Sequence, residues 1–213
     1  MIISHQHRFV FMKSRKTAGT SVEIALSRVC GPEDVITALP RADEAIRAAA
    51  GGRGRQHTTG PGLRRSVHEH SPVAVARQAL GEATWAEYFT FVVERNPWDA
   101  VVSLYFWVNR HDGRLTFDEF VHRDEVVNLA SQQFRSWHAR GERAVDRVLR
   151  YERLDDEVGE VWEHLGLPGA PELPRAKSGL RDQTGYRQHY VPATRDLVGE
   201  LFARQIAELG YEF

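Results

Sequence analysis

The sequence predicts an α/β fold, a single three-layer domain with a central, mainly parallel sheet and a phosphate-binding loop after the first strand. Three observations lead to this prediction. Short apolar runs alternate along the chain with segments of helical periodicity. The run "YFTFVVE" is apolar throughout its middle, as a parallel strand buried on both faces would be. The run "RFVFMK" is joined to a helical segment by "RKTAGTS", residues 15 to 21, a loop of small and hydroxylated residues.

The remaining elements follow in order. The first helix is predicted over "SVEIALSRVCG", ending at Gly31. The helix in "NPWDAVVSLYFWVNR" has Asn96 as its N-cap and Pro97 at its first position. One long helical region covers "FDEFVHRDEVVNLASQQFRSWHAR", a strand covers "VDRVLRYE", and a helix covers "RLDDEVGEVWEHLG". The last helix runs from Ala193 to Leu209 and presents one apolar face.

Composition limits the class of protein. A chain of 213 residues is expected to form one domain, residues 1–213. Its 28 Lys and Arg residues nearly balance 29 Asp and Glu residues, which argues against a nucleic-acid partner. Cys30 is the only cysteine, no apolar run reaches the ~20 residues of a membrane helix, and "MIISHQHRFVFMKS" does not have the pattern of a signal peptide. We therefore expect a cytoplasmic protein without a membrane span, and leave its oligomeric state open.

Residues 41 to 67 change in character, because they are rich in Gly and Arg. Two interpretations stay open for this stretch. It is either a surface loop or a flexible lid or acceptor loop over an active site, since long loops in compact domains are often functional.

The loop at residues 15 to 21 has the features of an anion site. A helix N-terminus offers backbone N–H groups and the positive end of its dipole. Lys16 adds a full charge, Gly19 is expected to let the backbone approach a ligand, and Thr20 and Ser21 add hydroxyl donors. The loop is P-loop-like but does not match G-x-x-x-x-G-K-[ST], because its lysine precedes the glycine. It therefore predicts a phosphate site that requires no metal; the alternative is an ordinary strand–helix turn with a Ser or Thr cap.

A second segment, "FVVERNPWDAVVSLYFW", places Arg95 at the carboxyl end of the buried strand, where ligands bind in open α/β sheets. Ser103 lies on the same stripe of the following helix as Asn96 and Asp99. A guanidinium and a hydroxyl suit a second phosphate. The alternative is an arginine that pairs with a carboxylate and a serine that serves its own helix.

Together, "KTAGTS" and "RNPWDAVVSLY" resemble the two phosphate motifs of the sulfotransferases that use 3′-phosphoadenosine 5′-phosphosulfate (PAPS), in the carbohydrate and uronyl 2-O-sulfotransferase branch. "RYERLDDEVGEVWEHLGLP" and "YRQHYVPATRDLVGELFARQIAELGYEF" are similar to later segments of that family. The resemblance implies the sulfotransferase fold, which is related to P-loop nucleoside triphosphatases. This sequence departs from the family's pattern at residues 13 to 15, "KSR", where members often have an apolar residue and a proline.

The resemblance also implies roles for residues. The 5′ end of PAPS would be held by Lys16, Thr17, Ala18, Gly19, Thr20 and Ser21. The 3′-phosphate would be held by Arg95 and Ser103. Independently of the resemblance, Lys177 and Arg181 in a later polar segment are further candidates, with solvated surface charges as the alternative. The acceptor would be a hydroxyl, on a carbohydrate or a glycolipid.

The segment "VHEHSP" resembles a His-x-His segment that supplies the base in the uronyl branch. We assign the base to His70 first, with His68 as a helper and His57 as a more distant candidate; the alternative is that they are surface histidines. Lys16 would act on the leaving phosphate. Transfer is expected to fall below about pH 6.5, where an ordinary imidazole becomes protonated. Two histidines two residues apart are compatible with zinc, but no CxxC or HExxH motif accompanies them, so no metal is predicted.

Two other functions remain open at this point. One is a Mg²⁺-dependent P-loop nucleotide kinase or hydrolase, against which the order of lysine and glycine weighs. The other is a non-catalytic module that binds 3′-phosphoadenosine 5′-phosphate (PAP).

Overall fold

Five strands form the central sheet of this computed structural model, which describes residues 1–60, 62–110, 113–174 and 185–213. The predicted ligands Lys177 and Arg181 lie outside these residues. The strands in chain order are β1 (Ile2–Ser4), β2 (Phe9–Met12), β3 (Val35–Ile36), β4 (Phe89–Glu94), β5 (His138–Ala139), β6 (Glu142–Arg143) and β7 (Arg147–Arg150). The order in the sheet is β3-β1-β2-β4-β7, and β5 and β6 form a separate antiparallel pair.

The three strands that carry the apolar runs, β2, β4 and β7, are parallel to one another. β1 is antiparallel to both of its neighbours, β2 and β3. The prediction of a mixed α/β fold with a central, mostly parallel sheet is thus confirmed.

The helices of the described residues are α1 (Gly19–Ser27), α2 (Arg41–Ala49), α3 (Val73–Leu80), α4 (Glu82–Glu87), α5 (Pro97–Asn109), α6 (Phe117–Val121), α7 (Asp124–Trp137), α8 (Leu154–His164), α9 (Pro192–Leu201) and α10 (Ala203–Leu209), with 3₁₀ turns at Tyr151–Arg153 and Tyr186–His189. The predicted start of α5 is correct, since the Asn96 side chain accepts a hydrogen bond from the Trp98 amide at 3.1 Å and Pro97 follows the cap.

Three predicted helix bounds are wrong. The first helix ends at Ser27 with Arg28 as its C-cap, and so does not reach Gly31. The long helical region is divided into α6 and α7, and a capping box at Thr116 and Glu119 fixes the start of α6. The final helix is interrupted at Phe202, which ends α9 and precedes α10.

The chain divides into two compact units, each with its own core. The first comprises Met1–Glu94 and the described residues of Arg135–Ala176 and contains the sheet. One face of that sheet is covered by α1 and α8, through side chains such as Leu26 and Trp162. The second comprises Arg95–Phe134 and the described residues of Lys177–Phe213, in which α5, α6 and α9 bury an aromatic and aliphatic core. The single domain of the sequence analysis stays a prediction.

The segment from residue 41 to 67 contains a helix that the sequence analysis did not predict, α2. Arg47 of α2 is fully buried, and the Arg53 guanidinium donates to the Cys30 carbonyl at 2.6 Å. Gln56 forms a backbone pair with Ile36 at the edge of the sheet. These contacts fix much of the segment to the first unit, and its role as a lid or acceptor loop stays a prediction.

Across the described ranges of the chain, every helix is too short or too polar to cross a membrane.

Candidate active site

The loop between β2 and α1 has an unusual backbone. Lys16 and Ala18 both adopt the left-handed conformation, with φ of 64° and 58°, although neither is glycine. Such residues usually persist only where the surrounding structure requires them, and they concentrate at functional sites. Inside the loop, the buried Thr17 hydroxyl donates to the Ser14 carbonyl at 3.3 Å. The Thr17 hydroxyl therefore supports the shape of the loop.

The first turn of α1 is suited to an anion. Its N-cap, Ala18, has no side chain that can accept a hydrogen bond, whereas its carbonyl accepts from the amides of Ser21 and Val22. The first amides of a helix have no partner within the helix, and the dipole makes this end positive. Lys16 at the surface of the loop adds a cation. The residues present thus fit the phosphate-containing group that the sequence resemblance implies.

Gly19 is required for a reason that the sequence analysis did not foresee. A Cβ atom at position 19 would lie 2.8 Å from Cγ of Lys13, closer than real side chains approach. The backbone at Gly19 therefore passes directly over the Lys13 side chain. The close approach seen here is to a lysine of the protein's own core.

Lys13 belongs to a buried group of charges below the loop. Its ammonium is 3.0 Å from Glu23 of α1, and the Arg47 guanidinium contacts the other carboxylate oxygen of Glu23 at 2.9 Å. The amino group of Met1 lies 2.9 Å from Glu23 as well. Burial acts against ionisation of Glu23, but these cations together hold its pKa below the ordinary value. Glu23 therefore remains a carboxylate that pairs with the Lys13 and Arg47 cations, whereas burial lowers the pKa of the Met1 amino group to about 5.

This group of buried charges was not predicted from the sequence. A hint was present, because Lys13 directly follows the apolar run of β2 and Glu23 stands in the apolar helix "SVEIAL". Charges at positions where the pattern demands apolar residues are rarely buried unless they are paired.

His70 is held against the start of the loop. Its Nδ1 lies 2.9 Å from the carbonyl oxygen of Lys13. Because a carbonyl can only accept, Nδ1 carries the proton and the neutral ring has its lone pair on Nε2. Burial is the main cause that lowers the pKa of His70, to about 4. His70 is thus neutral at physiological pH, with Nε2 in the form that a general base requires.

His68 differs from its neighbour two residues on. It is exposed, and its backbone amide donates to the Ser71 hydroxyl at 2.9 Å. The Ser71 amide donates back to the His68 carbonyl at 3.0 Å, which closes a tight turn around residues 68 to 71. The turn directs His70 inward. His57, the more distant candidate, is exposed and contacts the Pro32 carbonyl at 2.9 Å.

In the second unit, Arg95 pairs with a carboxylate. Its Nε and a terminal nitrogen both lie 2.6 Å from Oδ2 of Asp99, one turn further along. Both side chains are largely buried, and Ser103 of α5 is half-buried. The structure thus contains the ion pair that was the alternative in the sequence analysis. A phosphate at Arg95 would have to share the guanidinium with Asp99.

Glu94 ends β4 and is fully buried. Burial raises its pKa to about 8, although the side chains of Ser14, Trp137 and Ser136 act in the opposite direction. Within the described residues, Oε1 of Glu94, Oγ of Ser14 and Nε1 of Trp137 are all buried without a hydrogen bond of normal geometry. A neutral carboxylic acid therefore lies beside the first residues of the loop.

No group of three or more His, Cys, Asp or Glu side chains with the arrangement of a metal site occurs among the residues that the structure describes.

The chain is similar to an archaeal protein over part of its length and, distantly, to a solved structure. No protein-family model matches it. It is 32% identical over 100 residues to an uncharacterized protein of Archaeoglobus fulgidus, a match that covers 46% of this chain and 83% of the archaeal one. Among solved structures, a sulfotransferase from Alicyclobacillus acidocaldarius is similar with a TM-score of 0.41 and 16% identity, over 95% of this chain and 84% of that one. A structural likeness this distant assigns no activity.

Proposed function

The chain belongs to one family with the uncharacterized archaeal protein, and we propose an activity from its own residues: transfer of the sulfuryl group of PAPS to a hydroxyl of a carbohydrate or glycolipid acceptor. One observation carries the proposal. A neutral histidine, His70, is hydrogen-bonded through Nδ1 to Lys13, which stands two residues before the predicted phosphate loop of residues 15 to 21. The proposed base would thus be joined by one short contact to the segment that leads into the proposed anion-binding loop.

Each end of the donor has candidate ligands. The amides at the start of α1 and the Lys16 ammonium would hold the 5′-phosphosulfate, by the charge complementarity of a helix N-terminus. Arg95 and Ser103 would hold the 3′-phosphate, as the resemblance of "RNPWDAVVSLY" implies. We propose no metal here, because N–H donors and cations would meet the charge of the phosphates.

The proposed reaction moves a sulfuryl group from a phosphate oxygen to an acceptor hydroxyl. PAPS supplies the sulfuryl group, and the acceptor oxygen forms a bond to sulfur while the bond from sulfur to the phosphate oxygen breaks. Nε2 of His70 takes the proton of the acceptor hydroxyl. Lys16 and the loop amides stabilise the charge that grows on the departing phosphate, an interaction stronger in the transition state than in the ground state.

The proposal is tested in two stages. Thermal unfolding in the presence of PAP, AMP and ATP with Mg²⁺ compares the ligands; PAP should raise the melting temperature most, since it alone fills both phosphate sites. Transfer of labelled sulfate from PAPS to a panel of hydroxylated acceptors, with and without EDTA, then tests catalysis. Stabilisation by ATP only with Mg²⁺ would indicate a nucleotide kinase or hydrolase. Binding of PAP without any transfer would indicate a PAP-binding module.

His70→Ala tests the base. The variant should lose about 10²–10⁴-fold in kcat while it binds PAP normally. His68→Ala is the matched comparison, because it removes an exposed imidazole two residues away, and its loss should be much smaller. The acid limb of kcat/KM should lie near pH 4, where burial places the pKa of His70, and not near pH 6.5 as the sequence alone predicted. A His70→Ala enzyme with near-normal turnover would move the base elsewhere.

A further inference from the structure

The Glu69 carboxylate lies near both the Lys13 ammonium and the His70 ring. Its Oε2 is 2.9 Å from the Lys13 ammonium, and its Oε1 is 3.7 Å from Nε2 of His70. His70 in turn contacts the Lys13 carbonyl through Nδ1. The three residues thus form a closed ring of contacts, in which Lys13 holds one partner by its side chain and the other by its backbone.

The ring is rigid on the side of Lys13. Only 3% of the Lys13 side chain is exposed, and Gly19 of α1 passes directly over it. Glu23 holds the same ammonium from the opposite side, at 3.0 Å. The buried Lys13 ammonium therefore holds the Glu69 carboxylate in place.

Glu69 is charged where it stands. Burial acts to raise its pKa, but the charge and hydrogen bond of Lys13 and the charge of His70 outweigh burial and leave the pKa below its ordinary value. The charged groups that face His70 are Glu69, Lys13 and the amino group of Met1. The Lys13 carbonyl and then the Glu69 carboxylate favour the protonated imidazole, whereas the Lys13 ammonium and the Met1 amino group act against it.

We propose that Glu69 is a positioning residue for the His70 base, whose carboxylate, fixed by Lys13, stabilises the imidazolium that forms when Nε2 takes the acceptor's proton. The inference rests on the proposed function. At 3.7 Å the carboxylate is too distant to form a hydrogen bond that would occupy Nε2, yet close enough to pair with a cation on the ring. The negative charge thus becomes useful only after the proton has moved.

Glu69→Gln removes the charge and keeps the shape. An opposite charge within ~4–6 Å shifts a pKa by about one unit or more, so the pKa of His70 should fall and kcat should fall about tenfold. The KM for PAPS and the affinity for PAP should be unchanged, because Glu69 would act on the proton and not on the donor. Glu69→Asp keeps the charge and should retain most of the turnover. Glu33→Gln, on an exposed glutamate of the same unit, is the control and should leave all three quantities unchanged.

NMR separates this inference from the proposed function. The protonated fraction of the His70 ring at pH 4 should be lower in Glu69→Gln than in the wild type, whether or not the protein transfers sulfate. A wild type without transfer activity would refute the proposed function and leave the His70 titration to decide the pairing. An active wild type whose Glu69→Gln variant keeps its kcat, or its His70 titration, would overturn the role of Glu69. A loss confined to the melting temperature would do the same.

Discussion

Replacement of Glu94 by glutamine should change how the stability of the protein depends on pH. In the folded chain, burial raises the pKa of Glu94 from 4.5 to about 8. Between these two values the folded carboxyl keeps a proton that the unfolded chain has released. Because the folded state binds more protons, stability falls as pH rises through this window, by ~1.4 kcal/mol per pH unit. From about pH 5 to pH 8 the loss sums to about 4 kcal/mol.

The assay is urea unfolding of the wild type and of Glu94→Gln across that pH range. Glutamine has the shape of the protonated acid but does not titrate, so the variant should gain about 4 kcal/mol relative to the wild type over the window. The comparison cancels other groups, including His70, whose lowered pKa makes its own effect opposite in sign. Glu163→Gln, an exposed glutamate of α8, should run parallel to the wild type. Parallel curves for Glu94→Gln would refute the reasoning.

Three further variants test the loop, the second phosphate site and the buried charges. Lys16→Ala should lower kcat strongly in single-turnover experiments and weaken PAP binding less, and an unaltered kcat would make the loop a binding element only. Arg95→Ala should weaken PAP binding by about 1.5–3 kcal/mol in calorimetric titration and leave AMP binding unaffected, whereas equal losses for both ligands would contradict a 3′-phosphate site. Arg47→Met should lower the free energy of unfolding by about 3–5 kcal/mol in urea, because it removes a buried partner of Glu23, and a small change would mean that Lys13 suffices.

The main elements of the fold could be predicted because their signals are local. The apolar runs of β2 and β4 and the Asn-Pro start of α5 depend on neighbouring residues alone. β1 and β3 were missed because strands of three and two residues are too short to show a period. α2 was missed because its Gly- and Arg-rich surroundings suggest a loop. Its Arg47 is nevertheless buried, through an ion pair with Glu23 of α1.

In the candidate site, too, the residues that could be predicted have local sequence signals, and those that were missed depend on contacts made by folding. The loop and the His-x-His segment are sequence motifs, so Lys16 and His70 could be proposed from the residues and a family resemblance. The ion pair of Lys13 with Glu69 joins residues 56 positions apart in sequence, and the pair of Lys13 with Glu23 forms only when β2 and α1 fold against each other. A charged residue considered alone is assumed to face solvent. The acid limb is expected at a lower pH than the sequence predicted for the same reason, because burial of an imidazole is a property of the folded chain.

The contact between Gly19 and Lys13 makes two positions of the chain epistatic. Any side chain at position 19 collides with a long one at position 13, so a change at 19 becomes tolerable only after Lys13 has been replaced by a smaller residue. That replacement also removes the cation between Glu23 and Glu69. A side chain at position 19 is therefore tied to the fate of one buried carboxylate, Glu23, and one half-buried carboxylate, Glu69, which share that cation.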